Sequence, residues 1–212
     1  MTTFWWLIAA TLLVAVIDWW AVFSERRSVE YVFKPLTMVV LIAAAVTLTD
    51  PASSAARWWL VAGLVCSLAG DVFLMLDDLF VPGLASFLVG HLCYIVALAN
   101  LGPSLPALIV GFVAVAIGVA FVGRIVINGA ASTDARLRLP VTAYISAISV
   151  MVAMSIGTMI PFAIAGALLF YLSDACIGWS RFVKDFPQSR MAIITTYHLG
   201  QIGLVLALMG AR

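Results

Sequence analysis

Charge is scarce in this 212-residue chain: Lys, Arg, Asp and Glu make up 10% of it, whereas hydrophobic residues make up 65%, for a mean hydropathy of +1.17. A soluble domain of this size could not hide so much apolar surface, but a bilayer accepts it directly. The net charge is only +1, so no basic surface points to nucleic acid as a partner. Cysteine is also rare. Cys66, Cys93 and Cys176 are dispersed within apolar stretches, which excludes a disulfide framework and a CxxC metal knuckle, and they read as small hydrophobes. The first twenty residues lack the basic n-region and small-residue cleavage site of a signal peptide and read instead as a first spanning helix. Trp5, Trp6, Trp19 and Trp20 are expected at its two interfaces, where amphipathic rings prefer to sit.

The long apolar runs predict an all-α membrane protein. A span needs about 20 mainly apolar residues, and eight candidates follow: 4–23, 32–48, 58–76, 84–100, 105–122, 140–157, 161–179 and 191–209. Pro51, Pro82–Gly83, Gly102–Pro103 and Pro187 punctuate the links, and only 123–139 reads as a longer polar loop. No segment resembles a soluble domain, so residues 1–212 are expected to form one eight-helix transmembrane domain. Arg26, Arg27, Arg124, Arg136, Arg138, Arg181, Lys184 and Arg190 fall after helices 1, 3, 5 and 7, whereas Arg57 and Arg212 fall on the other side. The positive-inside rule then puts both termini on the non-cytoplasmic side. Similar patterns in the two halves suggest a parallel 4+4 internal repeat. Gly70-Asp71 is followed by His91 and Tyr94, and Ser173-Asp174 by His198 and Gln201.

Against this apolar background stand Asp71, His91, Asp174 and His198, each inside a spanning segment, with Lys34 at the start of the second. An ionised group at membrane depth costs several kcal/mol unless it is paired, hydrated or neutralised, so such residues mark sites or pathways. At 1.5 Å per residue all four lie roughly 8–12 Å from the arginine-rich ends of their helices, which predicts a cavity opening toward the cytoplasm. Asp18 reaches a comparable depth, but Trp19 and Trp20 beside it suggest an interfacial position. Gly63, Ser67 and Asp71 form a small-residue stripe that permits close helix approach, and Pro35 and Pro140 read as helix starts. Asp77 and Asp78 read as solvated loop residues. These residues alone fit an active site, a proton-coupled solute transporter, or a zinc site built from Asp71, His91, Asp174 and His198. There is no HExxH and no third histidine.

FKPLTM (33–38), LAGDVFLML (68–76), SFLVGHLCYIVAL (86–98), LSDACIGWSRF (172–182) and TYHLGQIGLVLAL (196–208) resemble, in order, the YhhN/TMEM86 family of lysoplasmalogenases. The resemblance implies an integral-membrane hydrolase that cleaves the vinyl ether bond of lysoplasmalogens without a cofactor or metal. Its products would be a fatty aldehyde and a glycerophospho-ethanolamine or -choline. Lys34, Asp71, His91, Tyr94, Asp174, Arg181, Tyr197 and Gln201 match the family's polar pattern. His198 departs from it, because members often carry tyrosine there. The implied chemistry needs a carboxylic acid to protonate the enol ether and a carboxylate to stabilise positive charge and orient water. Asp71 and Asp174 are expected in these roles, with His91 tuning or relaying the proton. Lys34 and Arg181 would meet the phosphodiester, and Tyr94, Tyr197, His198 and Gln201 would line the substrate site. The lysophospholipid would enter sideways from the bilayer.

Overall fold

The computed structural model describes residues 2–76 and 78–210 and is helical throughout, with no strand among the described residues. Asp77 and Arg212 lie outside the described residues. The helices are α1 (Thr2–Phe23), α2 (Arg27–Thr47), α3 (Ser54–Leu74), α4 (Phe80–Ala99), α5 (Leu105–Gly118), α6 (Arg124–Thr133), α7 (Arg138–Thr158), α8 (Pro161–Phe182) and α9 (Ser189–Ala207). A π-helical turn, Val119–Gly123, joins α5 to α6 without a break. Seven helical segments among the described residues are long and apolar enough to cross a bilayer, α5 to α6 counting as one span, Leu105–Thr133. This makes the chain a multi-pass membrane protein. α9 falls short of that measure because it carries Arg190, Tyr197, His198 and Gln201, yet its inner face is buried in the bundle.

Three elements differ from the sequence expectation. Residues 123–133 are helix rather than loop. Ser132 and Thr133 satisfy their hydroxyls on the Asn128 and Gly129 carbonyls one turn back, so a polar stretch stays helical. α2 begins at Arg27, which places Pro35 inside the helix and Lys34 about two turns from its start. Glu30 in the first turn favours the earlier start by facing the positive end of the helix dipole. Pro82 and Gly83 fall in the first turn of α4 rather than in a link, where a missing N–H costs little. Pro140 does sit in the first turn of α7.

Small residues set the packing. α3 lies along α4, and α8 along α9. A Cβ on Gly200 would stand 2.8 Å from the Phe170 amide nitrogen, and one on Gly166 would stand 2.6 Å from that of Leu204, so α8 and α9 touch backbone to backbone. α5 packs on α7 and turns Leu105 and Val110 outward, as the π-turn does Phe121. Trp5, Trp6 and Trp20 are exposed near the two ends of α1, as expected of interfacial rings. At one end of the bundle Arg190 pairs with Glu30, and Tyr31 donates to the Met75 carbonyl. This is the arginine-rich end. In the loop that closes α8 there, the Ser180 hydroxyl and the Phe186 amide donate to Asp185 and hold its carboxyl below the usual range.

Candidate active site

The polar residues of the interior form two centres flanking an aromatic cluster. In the first, Lys34 Nζ stands 3.1 Å from Asp71 Oδ1, and the Tyr197 hydroxyl donates to Asp71 Oδ2 at 2.6 Å. The Asp71 side chain is 2% exposed, so this ion pair is removed from bulk water. In the second, Tyr144 on α7 donates to Asp174 Oδ2 at 2.6 Å. His91 Nε2 faces the same oxygen at 3.6 Å, longer than a hydrogen bond. Phe170 separates the centres: its ring lies 4.8 Å from His91 and 5.3 Å from Tyr197, and Phe87 packs edge-on against both Phe170 and Tyr197.

A third link crosses the bundle. Tyr94 donates to Gln201 Oε1 at 2.8 Å and shares a hydrogen bond with Ser67 Oγ at 3.1 Å. The Gly63–Ser67–Asp71 stripe makes this possible. A Cβ on Gly63 would fall 2.3 Å from the Tyr94 ring, so only glycine leaves room for that tyrosine.

Asp174 opens onto an apolar pocket. Its walls include Phe80, Leu84 and Phe87 of α4, Val122 and Gly123 of the π-turn, Val126 of α6, and Tyr144 of α7. The pocket runs along α8 from Tyr171, just below Asp174, to Phe182 near the arginine-rich end. The π-turn shifts the register of the α5–α6 span where it lines this space, a placement π-turns often have at functional sites. At the outer end the exposed Arg181 guanidinium lies over the Phe80 ring, 3.7 Å from its centroid.

Of the residues singled out from sequence, Lys34, Asp71 and Tyr197 come together, as do His91 and Asp174, and as do Tyr94 and Gln201. The two aspartates do not hydrogen-bond to each other; each is held by its own tyrosine. Lys34 is not free at a rim but committed to Asp71. His198 accepts a hydrogen bond at Nδ1 from Trp19 Nε1 at 3.1 Å, so Trp19 turns inward rather than lying at the interface. The four residues considered for zinc are divided between the two sides of the cluster, and no group of three His, Cys, Asp or Glu gathers among the described residues. Asp18 also departs from expectation. It is fully buried rather than interfacial, because its face of α1 packs on α2.

Tyr144 was missed from sequence, because a tyrosine in an apolar helix carries no periodic or motif signal until its partner is known. Phe170 was missed for a similar reason: it reads as core filler.

The sequence profile of the YhhN family matches residues 29–208. The chain is similar to the lysoplasmalogenase of Mycobacterium tuberculosis (strain CDC 1551 / Oshkosh), 37% identical over 176 residues, or 80% of this chain and 66% of that one. It is also similar to lysoplasmalogenase TMEM86B of Homo sapiens, 32% identical over 146 residues, 68% of this chain and 60% of that one. The corresponding protein of Sus scrofa is 31% identical over 141 residues, 66% of this chain and 58% of that one. The chain thus matches about three fifths to two thirds of the length of these relatives. No solved structure matches it.

Proposed function

This chain belongs to the YhhN family, and from that membership and the geometry around Asp174 we propose that it hydrolyses the vinyl ether bond of lysoplasmalogens. The products are a fatty aldehyde and a glycerophospho-ethanolamine or -choline. The observation that carries the reading is a largely buried carboxyl, with no lysine or arginine paired to it among the described residues, in the wall of an apolar pocket. The carboxyl supplies an acid, and the pocket suits a hydrocarbon chain.

The two carboxyls divide the work by their partners. Lys34 balances Asp71 at 3.1 Å, so Asp71 is the standing carboxylate. Asp174 has no such counterion and is assigned the proton. It delivers that proton to the β-carbon of the enol ether, and the double bond becomes an oxocarbenium ion. Water adds to the positive carbon and gives up its own proton to the Asp174 carboxylate. The hemiacetal then collapses to aldehyde and alcohol, and the acid is restored. The Tyr144 hydroxyl, donating to Oδ2, orients Asp174 so that Oδ1 faces the substrate. His91, 3.6 Å from Asp174 Oδ2, is the neighbour that tunes it. The Asp71 charge stabilises the oxocarbenium ion across the aromatic cluster, and Tyr197 holds Asp71 in place.

Arg181 at the outer end of the pocket suits the phosphodiester. With α9 counted as an eighth span, the distribution of arginine supports reading this end as the cytoplasmic face. The chain enters sideways from the bilayer, between α8 and the α5–α6 span. Tyr94 and Gln201 brace the centre, and His198 is a structural neighbour rather than a reacting group.

The test is aldehyde release by the purified protein from a vinyl ether lysolipid and from its saturated alkyl ether analogue. Release from the first and none from the second is expected, since only the enol ether can be protonated at carbon. Coupled solute and proton flux in liposomes without aldehyde would favour a transporter instead.

A further inference from the structure

Charged groups line up on the side of the bundle away from the lipid pocket. Arg190 and Glu30 pair at the arginine-rich end, with side chains 48% and 19% exposed. Below them lie Lys34 at 15%, Asp71 at 2% and Asp18 at 0%. The register explains the line. Glu30 and Lys34 are four residues apart on one face of α2, and Arg190 and Tyr197 share a face of α9.

Among the described residues, the Asp18 carboxyl and the His198 Nε2 are buried here without a hydrogen-bond partner. Neither carboxylate oxygen of Asp18 receives a hydrogen bond, although the residue is fully buried among charged neighbours that include Lys34 and Asp71. His198 is likewise fully buried. Because Trp19 donates to its Nδ1, the neutral ring carries its hydrogen on Nε2, and that donor is unpaired. Leaving either group unsatisfied costs about 1–3 kcal/mol. A buried water with two to four polar partners removes the cost. Here the partners are the acceptors of Asp18, the unused protons of Lys34 and the Nε2–H of His198.

We propose that Asp18, Lys34 and His198 hold an internal chain of water running from the Glu30–Arg190 pair to Asp71, and that it supplies the water consumed in hydrolysis. The second clause rests on the hydrolase reading. Each turnover uses one water and returns its proton to the acid, so the site needs water but no net proton. The pocket beside Asp174 is apolar and filled by the lipid chain during reaction, so water arrives by another route. The polar column ends at Asp71, the carboxylate assigned to the oxocarbenium ion, and the Phe87–Phe170–Tyr197 cluster is the last barrier that water crosses from there to the pocket. Asp18 precedes the segment matched by the family, which begins at residue 29. The inlet therefore uses a residue of this chain's first helix.

The test uses the full chain in lipid nanodiscs, with Cys66, Cys93 and Cys176 replaced by alanine. Single cysteines are introduced as Asp18→Cys and, for a membrane-facing control on the same helix, Val16→Cys, at a residue 52% exposed on the bundle surface. Ag⁺ is close to water in size and captures thiols only where they meet water. Captured thiols resist maleimide added after denaturation. Capture at position 18 should be at least about tenfold faster than at position 16, as expected of a thiol that water reaches. If Asp18→Cys is not recovered folded, His198→Cys carries the same expectation. Capture no faster than at position 16 overturns the inlet. Aldehyde release is scored separately on the unaltered protein. Active protein with closed thiols sinks the inlet alone, whereas open thiols with no aldehyde sink the hydrolase reading and the purpose given to this water.

Discussion

Asp174→Asn is expected to lower the rate of aldehyde release by about 10²–10⁴-fold, the usual loss when a general acid is removed. The amide keeps the shape of the carboxyl and can still accept the Tyr144 hydrogen bond, so the helices that meet there keep their packing. It cannot give a proton to carbon. Because the protein still folds, substrate binding should change little and the loss should appear in kcat rather than KM. Asp71→Asn should also be impaired, through loss of the charge opposite the oxocarbenium ion. Steady-state kinetics on protein that elutes as a single species in detergent checks both. An Asp174→Asn variant with more than about half the original rate would remove Asp174 from the acid's role, since loss of a general acid typically costs about 10²-fold or more.

Lys34→Met is expected to destabilise the fold by about 3–5 kcal/mol, because it strands the Asp71 carboxylate without its counterion. The pair is 15% and 2% exposed, so water cannot replace the ammonium as it would at a surface. Adding Asp71→Asn to Lys34→Met should recover most of that loss, because the double variant buries no unpaired charge. Unfolding of the four proteins in mixed micelles gives the coupling energy. Additive losses would mean that the ion pair seen at 3.1 Å contributes nothing to stability. Activity should stay impaired in the double variant although its stability recovers, which separates the stability of the pair from its chemistry.

Much of this was legible in the sequence, and the rest failed for identifiable reasons. The spans follow from apolar length, and Asp71, His91 and Asp174 stood out because charge is costly at that depth. Their common depth predicted that they meet at one level. Which partner each would choose was not legible. Asp71 takes Lys34 from α2 and Tyr197 from α9, and Asp174 takes Tyr144 from α7; helix order in sequence does not fix those neighbours. The complementary roles expected of the two aspartates say nothing of the space between them, where Phe170 stands. Asp18 was misplaced because two adjacent tryptophans usually mark an interface, and only Trp20 does so here. Trp19 turns inward to His198, which reverses the inference for the residue next to it. The loop expected at 123–139 failed because serine and threonine can bond back to their own helix, a state that composition does not distinguish from a turn.

The central claim is that the reacting bond lies against an acid at Asp174, with the Asp71 carboxylate across the aromatic cluster and the hydrocarbon chain in the apolar pocket. A structure determined with the saturated alkyl ether lysolipid tests it most directly, because that analogue has the substrate's shape but no double bond to protonate. The chain is expected among Phe87, Val122, Tyr144 and Ile148, its first carbons against Asp174 and the phosphodiester near Arg181. Chain density outside this pocket, with Asp174 out of reach of the ether, would contradict it.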